Sequence, residues 1–202
     1  MEQIEKRVDM FIGLPCSGKS TYFKKHYDED TFVVSMDNIR FEYAAKTGIS
    51  YSEQHYRPRD GEMTHERFGE RTSKGQWSVL AKMNEQMHRD FYQATRQAAR
   101  EVAAGKRVVV DMTNLTISGR KKVKKWFKKV KDVSFHAVVF EFEQNIDLIK
   151  SQNIIRGKEQ DKVIPEKVID DMMAIFQPVS KEEDFSSVTY IDGLAGLKAT
   201  MA

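Results

Sequence analysis

The chain is poor in the residues that mark out special classes of protein. Its single cysteine, Cys16, among 202 residues cannot close an internal disulfide or build a multi-cysteine zinc site, which excludes a disulfide-stapled secreted scaffold and suits a reducing cytoplasm. Only four prolines, beside 40% hydrophobic and 10% aromatic residues, exclude a wholly disordered chain and leave enough apolar matter for a core. No apolar run reaches 18 residues. The opening Met-Glu-Gln-Ile-Glu-Lys-Arg is charged and leads into a short apolar segment containing Asp9, without a secretory cleavage pattern, so no membrane partner is expected. A dominant charge is missing too, since 33 Lys and Arg face 30 Asp and Glu for a net of +3. At 23.4 kDa the expectation is one domain over residues 1–202.

What is present is an alternation of two periods. Short apolar runs at 8–13, 31–36, 107–110, 135–142 and 188–191 predict strands, several apolar enough to be buried on both faces. Helical patterns fill the gaps at 19–26, 38–47, about 77–104, 118–130, 145–156 and 165–176, the last opening at Pro165. Strand and helix in turn predict an α/β fold with a parallel core sheet flanked by helices. Residues 47–75, rich in Tyr, His, Arg, Glu and Gly, break the alternation and predict an irregular functional insertion.

The strongest motif is Gly13-Leu14-Pro15-Cys16-Ser17-Gly18-Lys19-Ser20, which satisfies GxxxxGK[ST] between the first strand and the first helix. A chance match is expected in fewer than about one in a hundred sequences of this composition. Glycines at these places let successive N–H groups turn inward on phosphate oxygens while the helix dipole adds its attraction. Gly13, Pro15, Cys16, Ser17, Gly18, Lys19, Ser20 and Thr21 are therefore the candidate nucleotide cradle for ATP, with Lys19 reaching the β and γ phosphates and Ser20 offering a hydroxyl to Mg²⁺.

Three further constellations follow the strands. Asp37 and Arg40 come after the second: Asp37 either accepts the proton of an attacking hydroxyl or caps a helix beginning at Asn38, and Arg40 can grip an acceptor phosphate. Asp111 ends the third strand as a candidate Mg²⁺-orienting acid, and Thr113 and Asn114 either bind substrate or cap the next turn. Arg156 lies on a charged, glycine-containing stretch up to Pro165, built as a lid from about 156 to 165, and either closes over the triphosphate or is a solvated helix-end charge.

Residues 119–131 carry eight positive charges and no acid, more than the whole net charge. Val123, Trp126, Phe127 and Val130 recur at helical spacing, so one face is core and the lysines form the other. Such a face is usually just solvated, yet it is sufficient to attract a polyanion, which makes DNA or RNA a candidate partner.

From Val8 to about Gly193 these constellations, in this order, resemble the kinase domain of the phage polynucleotide 5′-hydroxyl kinases, a branch of the P-loop kinases. The resemblance implies a P-loop kinase fold with a helical lid, using ATP and Mg²⁺. It implies Lys19 and Ser20 on the nucleotide, Asp37 as general base, Arg40 on the acceptor phosphate and Arg156 as lid arginine. Thr113-Asn114-Leu115 also matches. Gln152 stands where the family has a second lid arginine, Asp111 stands one residue early, and no phosphatase domain is expected within these residues. The implied acceptor is the 5′-hydroxyl of a polynucleotide, with a base hydroxymethyl group in phage DNA (5-hydroxymethyluracil type) and a nucleoside or small molecule as alternatives. A nucleotide-binding switch is the non-enzymatic alternative. The implied location is the cytoplasm, the host's if the gene is a phage's. Oligomeric state has no signal.

Overall fold

The computed structural model describes residues 5–51, 54, 65–67, 70–72, 74–160, 162 and 164–195. In chain order its elements are β1 (Lys6–Ile12), α1 (Lys19–His26), β2 (Phe32–Val34), α2 (Met36–Thr47), β3 (His65–Arg67), β4 (Glu70–Thr72) and α3 (Lys74–Ala103). There follow β5 (Val108–Val110), α4 (Ile117–Trp126), β6 (Val133–Phe140), α5 (Ile146–Gln160), α6 (Glu166–Ala174) and β7 (Ser187–Ile191). Five strands make one sheet in the order β2-β5-β1-β6-β7, every neighbouring pair parallel. β3 and β4 form a separate antiparallel pair.

Alternation along the strands explains the layers. Val8, Met10 and Ile12 of β1 face Ala98 and Val102 of α3, Val123 of α4 and Phe127 just after it. Phe11 points the other way, joining Val109, Val138 and Phe140 against Tyr22 and Phe23 of α1 and Tyr27. Both faces are covered, which is why the central strands carry near-continuous apolar runs. Asp9 is the exception in β1: fully buried, it receives Arg7 Nε at 2.9 Å and Arg107 Nε at 2.5 Å, and Arg107 lies over the Tyr27 ring at 4.3 Å.

Because the five strands are parallel, their carboxyl ends share one edge, where residues 13–18, 35, 111–116, 141–145 and 192–194 emerge. A third cluster of Leu14, Leu115, Phe142, Ile149, Ile169 and Leu194 packs α5 and α6 down on this edge. β1 sits at the centre of the sheet, with β5 and β6 on opposite sides. The chain order therefore reverses there and opens the crevice in which parallel α/β sheets hold ligands.

The structure adjusts several sequence expectations. α2 begins at Met36, not Asn38, because Ser35 Oγ accepts the Asn38 N–H at 3.4 Å and caps the helix. α5 runs on to Gln160 through Gly157, so Arg156 lies inside the helix. α4 stops at Trp126, although Val123, Trp126, Phe127 and Val130 do pack on the core as their spacing requires. The irregular insertion contains β3, β4 and the start of α3; most of residues 52–64, and with them the aromatic and basic side chains expected to meet an acceptor, lie outside the described residues.

The basic stretch divides in two. Arg120 is fully buried: its Nε and Nη2 each donate to Glu183 at 2.7 Å, Nη1 donates to the Asn114 carbonyl at 3.0 Å and Nη2 also to the Pro178 carbonyl at 3.2 Å. Lys124 donates to the carbonyls of Glu183 and Asp184 and lies over the Phe185 ring at 3.9 Å. Lys121, Lys122, Lys125, Lys128, Lys129 and Lys131 remain exposed. α4 runs away from the ligand edge, and Lys6 Nζ reaches the Lys131 carbonyl at 3.2 Å where β1 and β6 start. Lys128, Lys129 and Lys131, after the end of α4, thus sit toward the opposite edge, roughly 20 Å off for the seven residues of β1 at about 3.3 Å each.

Candidate active site

The loop between β1 and α1 is shaped by close backbone packing. Gly18 has φ +92° and a Cβ there would lie 2.2 Å from the Gly193 carbonyl oxygen. A Cβ on Gly193 would lie 2.2 Å from the Ser17 carbonyl oxygen in return. No side chain fits either place, so the loop after β7 seats the phosphate cradle by backbone contact. Gly13 N–H donates to the Thr113 carbonyl at 3.0 Å, tying the cradle to the loop after β5. Cys16 has φ +62°, a further turn that brings loop N–H groups inward. Ser17 is buried, Pro15 and Cys16 half-buried, and Ser20 and Thr21 exposed on the first turn of α1.

Lys19 bends back over this loop, its Nζ donating to the carbonyls of Gly13 at 3.1 Å and Leu14 at 2.6 Å. Burial pulls its ammonium down to about 8 against the opposing charges of Asp111 and Asp37. Burial also holds Asp111 above the ordinary carboxylate range, with Lys19 acting against it and Asp37 with it. Burial raises the Cys16 thiol, while Arg156, Lys19 and Lys162 act the other way. Three cations from α1, α5 and the lid therefore surround the cradle.

Asp37 is in the first turn of α2. Ser35 performs the capping, and the Asp37 carboxylate instead receives Tyr51 Oη at 2.6 Å on Oδ1 and Lys162 Nζ on Oδ2. Burial pushes this carboxyl up, but the Lys162 ion pair, the hydrogen bonds from Lys162 and Tyr51, and the charge of Lys19 bring it to a net position below the usual value. Burial and Asp37 together push the Tyr51 hydroxyl well up, so it remains a donor. The Asp37 side chain is still half exposed, which leaves it open to an acceptor.

Arg40, one turn further along α2, is buried and donates from Nη1 to the Gln54 carbonyl and to Asn84 Oδ1 of α3, both at 3.3 Å. Thr113 presents its carbonyl to Gly13. The Asn114 side chain, in contrast, donates to the Phe11 carbonyl at 2.7 Å, at φ +48°. Its amide thus straps β1 to the loop after β5, and the next helix is capped by Thr116, which accepts the Gly119 N–H. Arg156 donates from Nε to the Lys162 carbonyl at 3.0 Å and from Nη2 to Asn153 Oδ1 at 3.1 Å.

Four contributors have no motif. Tyr51 lies in the insertion, Lys162 in the lid stretch with no marked spacing, Asn153 ties α5 to the Ile164 backbone, and Gly193 meets the cradle from the far end of the chain. A positive charge before Pro165 was the only available hint for Lys162.

A family model described as an AAA domain matches residues 8–179. The chain belongs to this family. The fold is that of P-loop kinases, with helices flanking a five-stranded parallel sheet. It is similar to Chaetomium thermophilum Kti12 in complex with ADP-AlF3, at TM-score 0.53 and 13% identity over 91% of this chain and 88% of that one. It is also similar to a chain of the Pnkp1/Rnl/Hen1 RNA repair complex, at TM-score 0.52 and 16% identity over 95% of this chain, but spans only 53% of that one. No curated protein matches the chain.

No helix among the described residues is long and apolar enough to cross a membrane. Nor do three or more His, Cys, Asp or Glu cluster as a metal site among them. Ser20 and Asp111 together supply one hydroxyl and one carboxylate, and no hydrogen bond reaches the Asp111 carboxylate among the described residues. That donor set fits Mg²⁺, which keeps several waters and takes phosphate oxygens as its remaining ligands.

Proposed function

We propose that this protein is a kinase that moves the γ-phosphate of ATP to a hydroxyl group of nucleic acid, with the terminal 5′-hydroxyl of a polynucleotide as the leading acceptor. The observation that carries the reading is the Asp37 carboxylate, relieved of capping by Ser35, half exposed, and acted on by the charge of the cradle lysine. A nucleotide-binding switch has no use for such a group.

In this reading Lys19 leaves the carbonyls of Gly13 and Leu14 for the β and γ phosphates. Asp37 takes the proton of the acceptor hydroxyl as its oxygen bonds to the γ-phosphorus; the bond from that phosphorus to the bridging oxygen breaks and ADP departs. Arg156 reaches over the cradle from α5 and meets the charge on the transferred group. Mg²⁺, held by Ser20 and Asp111, would supply neutralising charge between the phosphates. Phe41, exposed one turn along α2 from Asp37, offers an aromatic face on which an unpaired base can stack.

The deciding experiment offers ATP with 5′-hydroxyl oligonucleotides, with 5′-phosphorylated oligonucleotides carrying hydroxymethyl bases, and with free nucleosides, and locates the new phosphate by mass spectrometry. Phosphate on the terminal sugar is expected. Phosphate on an internal base would move the function to DNA modification, and phosphate on nucleosides alone would overturn the nucleic-acid reading.

A further inference from the structure

Lys162 is the most unusual charge in the molecule. It stands between α5 and α6 and is 7% exposed. Its Nζ lies 5.2 Å from the Phe41 ring centroid and 4.9 Å from that of Tyr51, while pairing with Asp37. A buried lysine needs a partner of opposite charge, and the partner here is the carboxylate proposed as the base. A base paired in this way is a poor base: the ammonium stabilises its ionised form and lowers its drive to take a proton.

Lys162 is also coupled to the cradle. Its charge acts on Lys19, Cys16 and Asp111. Its carbonyl is held by Arg156 Nε, and two residues on, the carbonyl and N–H of Ile164 are both bonded by Asn153 of α5 at 2.7 and 3.0 Å. Lys162 and Ile164 are therefore tied to α5 through Arg156 and Asn153. A triphosphate entering the cradle places several negative charges within reach of a lysine that otherwise has one carboxylate.

We infer that Lys162 has two stations, Asp37 while the cradle is empty and the γ-phosphoryl group once the donor is bound, so that donor binding itself frees the base. This rests on the kinase reading above and adds a catalytic residue to it. Among the described residues, the groups acting on Asp37 are Lys162 from the lid, Tyr51 after α2, Lys19 of α1 and, in mutual repulsion, Asp111. Of these, Lys162 is the one whose departure removes an ion pair and restores basicity at the moment transfer becomes possible.

The test is a double-mutant cycle on affinity for a non-hydrolysable ATP analogue, measured by calorimetry without acceptor. With Asp37→Asn, Lys162 loses its competing partner and the analogue binds about tenfold tighter; in a Lys162→Met background the same change has little effect. Equal effects of Asp37→Asn in both backgrounds would overturn the inference. Lys162→Gln repeats the cycle should Lys162→Met fail to fold. A second readout is the pH profile of transfer. Lys162→Met raises the acidic limb of kcat/KM, because burial then acts on Asp37 without its counter-charge, and lowers kcat; Lys162→Arg restores both in part. A lysine that only pairs with Asp37 would shift the limb without lowering kcat. Coupled binding in a protein that phosphorylates no hydroxyl would sink the kinase reading and spare the coupling; transfer with an additive cycle would do the reverse.

Discussion

Replacing Arg120 by methionine tests how the loop beside the cradle is held. The side chain keeps most of its length and loses all its donors, so Glu183 stays buried without its partner and the carbonyls of Asn114 and Pro178 lose theirs. Taking one member from a buried pair costs about 3–5 kcal/mol. For a chain of this length that lowers Tm by roughly 6–20 °C, at about 2–4 °C per kcal/mol. Urea unfolding at pH 7 measures the loss, and repeating it at lower pH checks the cause. Burial pushes Glu183 up, but in the native protein the Arg120 hydrogen bonds and charge outweigh it and leave the carboxyl below its usual value. That interaction therefore stabilises the fold above the unfolded-state pKa and fades as pH falls through the folded-state value. In the variant burial is opposed only by the Ser180 N–H and the charge of Lys124, so the folded-state pKa rises and acid relieves the buried charge. The gap between the two proteins should narrow from pH 7 toward pH 4.5. A loss below about 1 kcal/mol, the scale of an exposed pair, or a gap that stays constant would refute this account. Arg120→Met combined with Glu183→Met should recover much of the stability, since a packed apolar pair often replaces a buried ionic one without loss.

Lys19→Ala should abolish transfer, by about 2.7–4 kcal/mol or more of transition-state stabilisation on the scale of one lost electrostatic contact, with an unchanged thermal melt. Because Lys19 sits at about 8 in the empty site and phosphate charge draws it upward, ATP binding should take up a proton at pH 8.5 and almost none at pH 6.5. Calorimetry in buffers of different ionisation enthalpy measures this, and equal uptake at both pH values would contradict it. Gly193→Ala should destroy nucleotide binding as thoroughly as a change within the cradle, because its Cβ would lie 2.2 Å from the Ser17 carbonyl; near-native affinity in a binding titration would show that the loop after β7 yields. Charge reversal of Lys128, Lys129 and Lys131 should weaken binding of long oligonucleotides and reduce the salt dependence while sparing ATP and dinucleotide acceptors, since these lysines lie toward the edge opposite the ligand crevice.

The local patterns were legible in the sequence. The GxxxxGKS motif lies within a dozen residues, so its glycines, its turn and the helix that follows could be read from the chain alone. Continuous valines at Val108–Val110 identified a strand covered on both faces, and the spacing of Val123, Trp126, Phe127 and Val130 identified the buried stripe of α4. The same spacing could not say which charges of that stretch are exposed: Arg120, buried, and Lys124, half-buried, became partners of the Glu183 region only because the chain turns back at residues 178–185. For Asp37 the sequence left capping and catalysis equally open; Ser35 takes the cap, and Lys162 and Tyr51 reach the carboxylate from other parts of the chain. Gly193 shows the limit most plainly, since nothing around it signals a role, and its contact with Gly18 exists only because β7 ends on the same edge as β1. Local conformation follows from short-range sterics and periodicity, whereas the meeting of remote charges and backbones depends on strand order and helix packing, which tertiary structure alone decides.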